Sequence, residues 1–407
     1  MNSYPVLSMS ERTRHIFYMI AFPLGHFSVD TPNGALWLIA PAVGIAWNLS
    51  PAEIGFLITA HNFGAGLGYL PSGMLADRFS RRDLMMTGTV WWVVVGYAVA
   101  SMATGYWMLA FLLAVAAAGD AAWHPMATGT MVQHMPNRRA LALGVHLTGG
   151  IMAEVVAPLG VGILLAYFEW QVVFRIAIIP AVMMGVALLY FHRFILPSAE
   201  PKMTKTDLGN VLKVWRTPAG LAMFGLGVTY SMGFIGLMAM SPVFFQNYHG
   251  YSTAWTGAAF AAMLLGGGIA APIMGQLSDN WGRKRVVVVS AFLGSGGILL
   301  AAFTPYDALM VLGLVVAGTV LTGMRPVYLA GAVEMVGRRE STALGLIYGV
   351  MDGLGALGGL LAGLAGTNDL RYALVFAAGA SFVCGAFALV HPFAVRDIEM
   401  QLAPGGE

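Results

Sequence analysis

Histidine and aspartate stand four residues apart twice in this chain, as His26 with Asp30 and as Asp120 with His124. On a helix that spacing puts both side chains on one face, where a carboxylate and an imidazole can couple their protonation. Two further carboxylates, Glu154 and Asp352, and two further histidines, His61 and His146, also fall inside strongly apolar stretches. A charge at the centre of a bilayer costs about 2.5 to 3.5 kcal/mol even on insertion scales, so such groups need a reason to be there. Asp30 and Glu154 are the first candidates for carrying a proton, followed by His26, Asp120, His124 and Asp352. Hydrogen bonding between helices is the competing account for any one histidine, and a buried ion pair for Glu154.

Arg325 is the one basic residue that falls deep within an apolar stretch. Its guanidinium can grip a carboxylate, phosphate or phosphonate through two parallel N–H bonds, or hold Asp30 or Glu154 in a switchable pair. His124, His61, His146, Trp37, Trp123, Tyr230 and Tyr348 are candidates for lining a substrate pocket with it. Aromatic residues in apolar helices mostly pack or anchor at interfaces, which is the plainer account of that group. Histidine and aspartate also suit iron, cobalt or nickel, so a divalent metal is an alternative cargo, and import of an organic anion is another. No nucleophile and base are arranged as an enzyme would need. The run Gly353-x-Gly355-x-x-Gly358-Gly359 lies in an apolar helix with no strand before it and is no dinucleotide loop. A single cysteine, Cys384, excludes an intramolecular disulfide and a cysteine metal cluster.

The elements that must position these groups follow from composition. The 407 residues are 58% hydrophobic and only 10% charged, whereas a soluble domain carries about 25% charged residues. Apolar stretches near the roughly 20 residues needed to cross a bilayer recur along the whole length. The pattern predicts helices over 16–46, 53–76, 84–104, 107–134, 140–167, 172–195, 219–246, 254–277, 286–304, 308–334, 342–365 and 372–394. The first stretch carries His26 and Asp30 and lacks a cleavage site, so it is expected to be a retained helix. All but three of the 21 Lys and Arg residues fall before the first helix, in the connections after even-numbered helices, or after the last. Basic residues gather on the cytoplasmic side, so both termini are expected there, in a multi-pass protein of the inner membrane. The exceptions are Arg175 and Arg371, near the outer ends of helices six and twelve, and Arg325. Because the basic residues form no continuous patch, nucleic acid is not an expected partner.

The polar segment 197–217 divides the spans six and six, and the sequence repeats across it. Gly73, Asp77, Arg81 and Arg82 after helix two correspond to Gly275, Asp279, Arg283 and Lys284 after helix eight. Pro125 corresponds in the same way to Pro326, and Arg138 with Arg139 to Arg338 with Arg339. The same repeat aligns His124 with Arg325, each followed by a proline. An aspartate at a helix end can pair with nearby guanidinium groups, so these eight residues are expected to latch the halves in one access state.

The twice-present pattern Gly-x-x-x-Asp-x-x-Gly-Arg-Arg/Lys resembles the signature of the major facilitator superfamily, with Ser80 where the first copy would have its second glycine. The resemblance covers nearly the whole chain. It implies an all-α membrane protein of twelve transmembrane helices in two parallel six-helix repeats, 1–196 and 218–407, joined by a cytoplasmic linker over 197–217. A finer resemblance is to the fosmidomycin-resistance-like branch, which exports drugs or metabolites. It is carried by the string from Gly25 through His26 to Asp30 and by Trp123-His124-Pro125. In helix five, Gly144, Ala153, Ala157-Pro158 and Gly162 resemble the antiporter motif, with alanine for two glycines and Val161 for another. The resemblance implies a transporter and no enzyme, exporting a small amphipathic or anionic compound through alternating access. Its expected partners are that substrate, protons and the lipid bilayer, with the proton gradient as energy source, no cofactor, and the monomer as the working unit.

Overall fold

The computed structural model describes residues 10–79, 81–135, 139–196, 209, 212–336 and 340–390. Within them the chain is helical throughout, in twelve rods. The first six are α1 (Glu11–Trp47), α2 (Pro51–Arg78), α3 (Arg82–Ala100), α4 (Tyr106–His134), α5 (Arg139–Leu164) and α6 (Trp170–Ala177, continued by Ile179–Phe191). The second six are α7 (Pro218–Val243), α8 (Thr253–Trp281), α9 (Arg283–Phe303), α10 (Asp307–Val336), α11 (Glu340–Gly355, continued by Leu357–Ala365) and α12 (Arg371–Val390). Ten of these rods are long and apolar enough to cross a membrane. The other two, α1 and α2, have the length and fall short on composition, because they carry His26, Asp30 and His61 among other polar residues.

Helix ends are set by local chemistry. Between α1 and α2, Asn48 takes a left-handed conformation and Ser50 forms a capping box with Glu53, so the chain reverses within three residues. Gly282, at φ 89°, makes the α8–α9 turn in backbone space that glycine enters at little cost. Ser80, its counterpart, lies outside the described residues, as do Arg138, Arg338, Arg339 and most of the linker. Pro180 starts the second segment of α6 and accounts for its break. The break in α11 is repaired from the other half: the Thr59 hydroxyl on α2 donates to the Ala356 carbonyl at 2.6 Å and accepts from the Leu360 N–H at 2.9 Å. A broken helix in lipid needs such partners for its freed backbone groups. In the connection before α12, Arg371 hydrogen-bonds the partly buried Asp369 and holds its carboxyl below the usual carboxylate range.

Within the first half α2 packs on α4 and α1 on α5; within the second, α8 packs on α10, and α9 on α10 and α12. The halves meet along two seams, α2 against α11 and α5 against α8. Glycines bring the backbones together there. A methyl group at Gly66 of α2 would lie 2.6 Å from the Cα of Gly353 on α11. A methyl group at Gly162 of α5 would lie 2.7 Å from the Thr253 carbonyl on α8. Small residues at such seams let helices associate where lipid provides no hydrophobic drive. The seams are tight at the end that holds the α1–α2 turn, where Trp37 also packs on Phe260 of α8. Toward the end that holds Ser10 and Val390 crowding along α5 and α8 ceases, and Gly144 and Gly275 have no atom within 4 Å of an added methyl group.

Candidate functional site

The two histidine–aspartate pairs, on different helices, converge. On α1, His26 Nε2 lies 3.1 Å from Asp30 Oδ2. On α4, His124 Nε2 lies 3.6 Å from Asp30 Oδ1 and 3.8 Å from Asp120 Oδ1. The helical turn makes each pair, and the packing of α1 against α4 joins the two. From α5, the His146 backbone carbonyl accepts the His26 Nδ1–H at 2.9 Å, and the His146 ring stacks on His26 at 4.3 Å. Asp30, Asp120, His26 and His146 are all buried.

The second group belongs to the other half. An Arg325 terminal nitrogen on α10 lies 3.7 Å from Asp352 Oδ2 on α11, and the guanidinium covers the Tyr348 ring at 5.4 Å. Tyr348 stacks on Tyr69 of α2 at 5.1 Å, so an aromatic pair bridges the halves beside the guanidinium. Tyr69 also stands 6.0 Å from the His124 ring, which links the two groups. Arg325 keeps a side-chain exposure of 31% and His124 one of 19%, although both belong to the middle of rods. Both keep partial exposure and lie within electrostatic reach of each other, as a chamber between the halves would require. Glu154 of α5 is half-buried, within electrostatic reach of Arg325, Asp30, His26 and Asp352, and makes no ion pair or hydrogen bond among the described residues.

Four expected pocket residues are placed elsewhere. The His61 Nε2 lies 2.6 Å from the Tyr97 hydroxyl on α3, inside the first half, and is a packing histidine. Trp123 is buried against Phe22 within the same half. The Tyr230 hydroxyl donates to the Leu321 carbonyl at 3.0 Å and its ring stacks on Phe234, inside the second half. Trp37 belongs to the closed end. These contacts give His61, Trp123 and Tyr230 partners within their own halves and Trp37 one across the halves; an aromatic or imidazole group on a helix in lipid can face either way.

The latch residues also differ in their partners. Gly73 and Gly275 lie in the last turns of α2 and α8, as does Asp77, whose side chain is outside the described set. In the first copy Arg81 is bidentate to Asp83, at 2.9 and 2.8 Å, and Asp83 also meets His192 at 3.0 Å. Buried Arg82 donates to the Ala76 carbonyl and to Gln133. In the second copy Arg283 is bidentate to Glu334 of α10, with Asp279 at 3.8 Å and Lys284 in the first turn of α9. Asp83 and Glu334 were missed in the sequence. Each stands beside the repeated motif and not in it, and the Arg-x-Asp spacing of Arg81 and Asp83 was the available signal.

The family model described as Major Facilitator Superfamily matches residues 24–265 and 254–399. The chain belongs to the Major Facilitator Superfamily. As a member it is a multi-pass membrane transporter of small solutes and not an enzyme. It is 26% identical to the probable nitrate/nitrite transporter NarK2 of Mycobacterium tuberculosis, over 77% of this chain and 78% of that one. It is 23% identical to a putative metabolite transport protein of Haemophilus influenzae, over 81% and 83% of the two chains. It is also 23% identical to the gallate transporter of Pseudomonas putida, over 83% and 81%. Among solved structures, a bacterial homolog of the human lysosomal transporter Spinster, inward-facing and occupied, superposes with a TM-score of 0.76 at 16% identity, covering 98% of this chain and all of that one. The superfamily fold is therefore established independently of the sequence motifs.

Proposed function

We propose that this chain exports a small organic anion across the inner membrane in exchange for protons, with Arg325 as the anchor for the anion. The observation that carries the reading is the state of Arg325. Its nearest carboxylate oxygen is 3.7 Å away, beyond direct hydrogen-bond distance, so the N–H fork keeps donors to offer a ligand. The Tyr69–Tyr348 stack beside it supplies a flat wall for a planar or apolar anion. Two relatives have anions in their names, the inorganic nitrate/nitrite and the organic gallate, which supports an anionic cargo.

Glu154 is the proposed proton carrier, because it faces the chamber without a fixed partner and feels Arg325 from the other half. A proton on Glu154 removes a negative charge near Arg325 and an anion on Arg325 favours that proton, so the two loads are linked without direct contact; exchange further requires that the proton and the anion be taken up in opposite access states. Basic residues in the connections at the end holding Ser10 and Val390 put that end in the cytoplasm, so the uncrowded part of the α5–α8 seam faces the cytoplasm. Export rests on the resemblance to the fosmidomycin-resistance-like branch, whose two strings supply His26, Asp30 and His124 to one cluster. The test uses proteoliposomes with an imposed pH gradient and a panel of labelled organic anions. The gradient is expected to drive anion movement outward, Glu154→Gln to remove the response to the gradient while exchange continues, and Arg325→Ala to abolish binding. Movement indifferent to the gradient in the unaltered protein would defeat proton coupling, and accumulation in the opposite direction would replace export by import.

A further inference from the structure

The cluster formed by His26, Asp30, Asp120 and His124 takes no part in the anion site, and its geometry has an unmet requirement. The His26 Nδ1 faces the His146 backbone carbonyl at 2.9 Å. A carbonyl only accepts, so Nδ1 carries the hydrogen, and in the neutral ring Nε2 presents a lone pair. In that neutral tautomer the lone pair faces Asp30 Oδ2 across 3.1 Å, one acceptor against another, so the contact calls for a cation between them, a proton on Nε2 or a metal ion. Asp30 Oδ1 and Asp120 Oδ1 are buried and meet no donor among the described residues. With both imidazoles neutral, two carboxylates and two imidazole nitrogens thus enclose a space with no cationic side chain in contact among the described residues, and burying uncompensated charge of this kind is costly.

We propose that His26, Asp30 and His124 bind a divalent transition-metal ion, with Asp120 as a further carboxylate ligand. Ligand atoms held by one ion at about 2.0 to 2.2 Å are about 3 to 3.6 Å apart in tetrahedral geometry. His26 Nε2 lies 3.1 Å from Asp30 Oδ2 and His124 Nε2 3.6 Å from Asp30 Oδ1, and one ligand atom from each of the three residues lies within 4.8 Å of the others, so an ion between them would draw the set together by about 1 Å. The longer of the two is too great for a hydrogen bond, so a direct hydrogen bond can join His26 to Asp30 but does not explain the approach of His124. The His26 Nδ1–H bond to a backbone carbonyl is how ligating histidines are held in the tautomer that presents Nε2. There is also room at the right place. A methyl group at Gly150 of α5 would stand 2.6 Å from His26 Nε2 and 3.0 Å from Asp30 Oδ2, so this glycine keeps clear the space above two of the donor atoms. Two carboxylates neutralise a dication, and the mixed nitrogen and oxygen donors suit zinc, cobalt or nickel over calcium or magnesium.

The site uses neither Arg325 nor Glu154, so it stands or falls separately from the transport reading. The experiment takes the full-length, tag-free protein in detergent, stripped with a chelator, and titrates Co²⁺ while recording visible absorption. One Co²⁺ per chain is expected, with ligand-field bands that Zn²⁺ displaces, and a thermal midpoint raised by several degrees at saturating Zn²⁺. His26→Ala, Asp30→Asn and His124→Ala are each expected to weaken binding at least tenfold. Gly150→Ala, which removes no ligand, is expected to weaken it as well, and His61→Ala is expected to leave it unchanged. If the unaltered protein shows no bands at millimolar Co²⁺, or if folded His124→Ala and Gly150→Ala proteins bind as the unaltered one does, the proposal is overturned.

Discussion

Arg325 shows how much one side chain's surroundings decide. In an apolar stretch the residue type alone allows an ion pair, a ligand site or a gate; the stack with Tyr348, the distance to Asp352 and the remaining exposure support the ligand site proposed above. A lysine in its place keeps the charge and loses the planar fork that binds a carboxylate through two bonds. Arg325→Lys is therefore expected to raise the KM for the anion at least tenfold with a smaller fall in maximal rate, measured by initial rates of labelled anion transport. An unchanged KM would mean that the anion is held elsewhere. The partners of Asp83 belong to the same scale. Arg81 and His192 share this carboxylate, which joins the loop after α2 to the end of α6, and the repeated motif gave no reason to choose Asp83 over Asp77. Motif residues were legible as a set, whereas the carboxylate that each arginine holds was set by packing.

At the scale of elements, the two seams depend on residues that have almost no side chain. Gly66 meets Gly353 backbone to backbone, so Gly66→Ala forces α2 and α11 apart, and overpacking of this kind costs about 1 to 3 kcal/mol. Gly88 on α3 is exposed and has nothing within 4 Å of an added methyl group. Gly88→Ala is expected to be neutral or slightly stabilising, since alanine favours a helix interior by about 0.5 to 1 kcal/mol over glycine. Thermal unfolding in detergent checks the contrast: a lowered midpoint for the first variant and none for the second. The sequence showed glycine in abundance without saying which glycines touch. Broken α11 was not foreseen as two segments, because its repair comes from Thr59, nearly 300 residues away along the chain.

At the scale of the whole molecule, the halves are closed at the end with the α1–α2 turn, and crowding along α5 and α8 ceases toward Ser10 and Val390. Alternating access requires that closed end to open. Cysteines at Gly162 and Ala254, in a background with Cys384→Ala, would lie across the closed part of the seam, where a methyl at Gly162 is 3.4 Å from the Ala254 Cα. Oxidation is expected to arrest transport, and reduction to restore it. Transport continuing at full rate with the cross-link formed would exclude rocking about this seam. The sequence by itself determined the membrane class, the spans to within a few residues at most ends, the repeat and the family, because length, apolarity and charge placement answer to the bilayer and need no tertiary contact. It also determined that His26 pairs with Asp30 and Asp120 with His124, since a helical turn fixes that spacing. Only the tertiary structure decided that the two pairs form one cluster, that His61, Trp123 and Tyr230 find partners within their own halves, and that Glu154 lies within electrostatic reach of Arg325. Those outcomes depend on the rotation of each rod about its own axis and on which neighbour it meets, and helices that are apolar around most of their circumference carry little record of either.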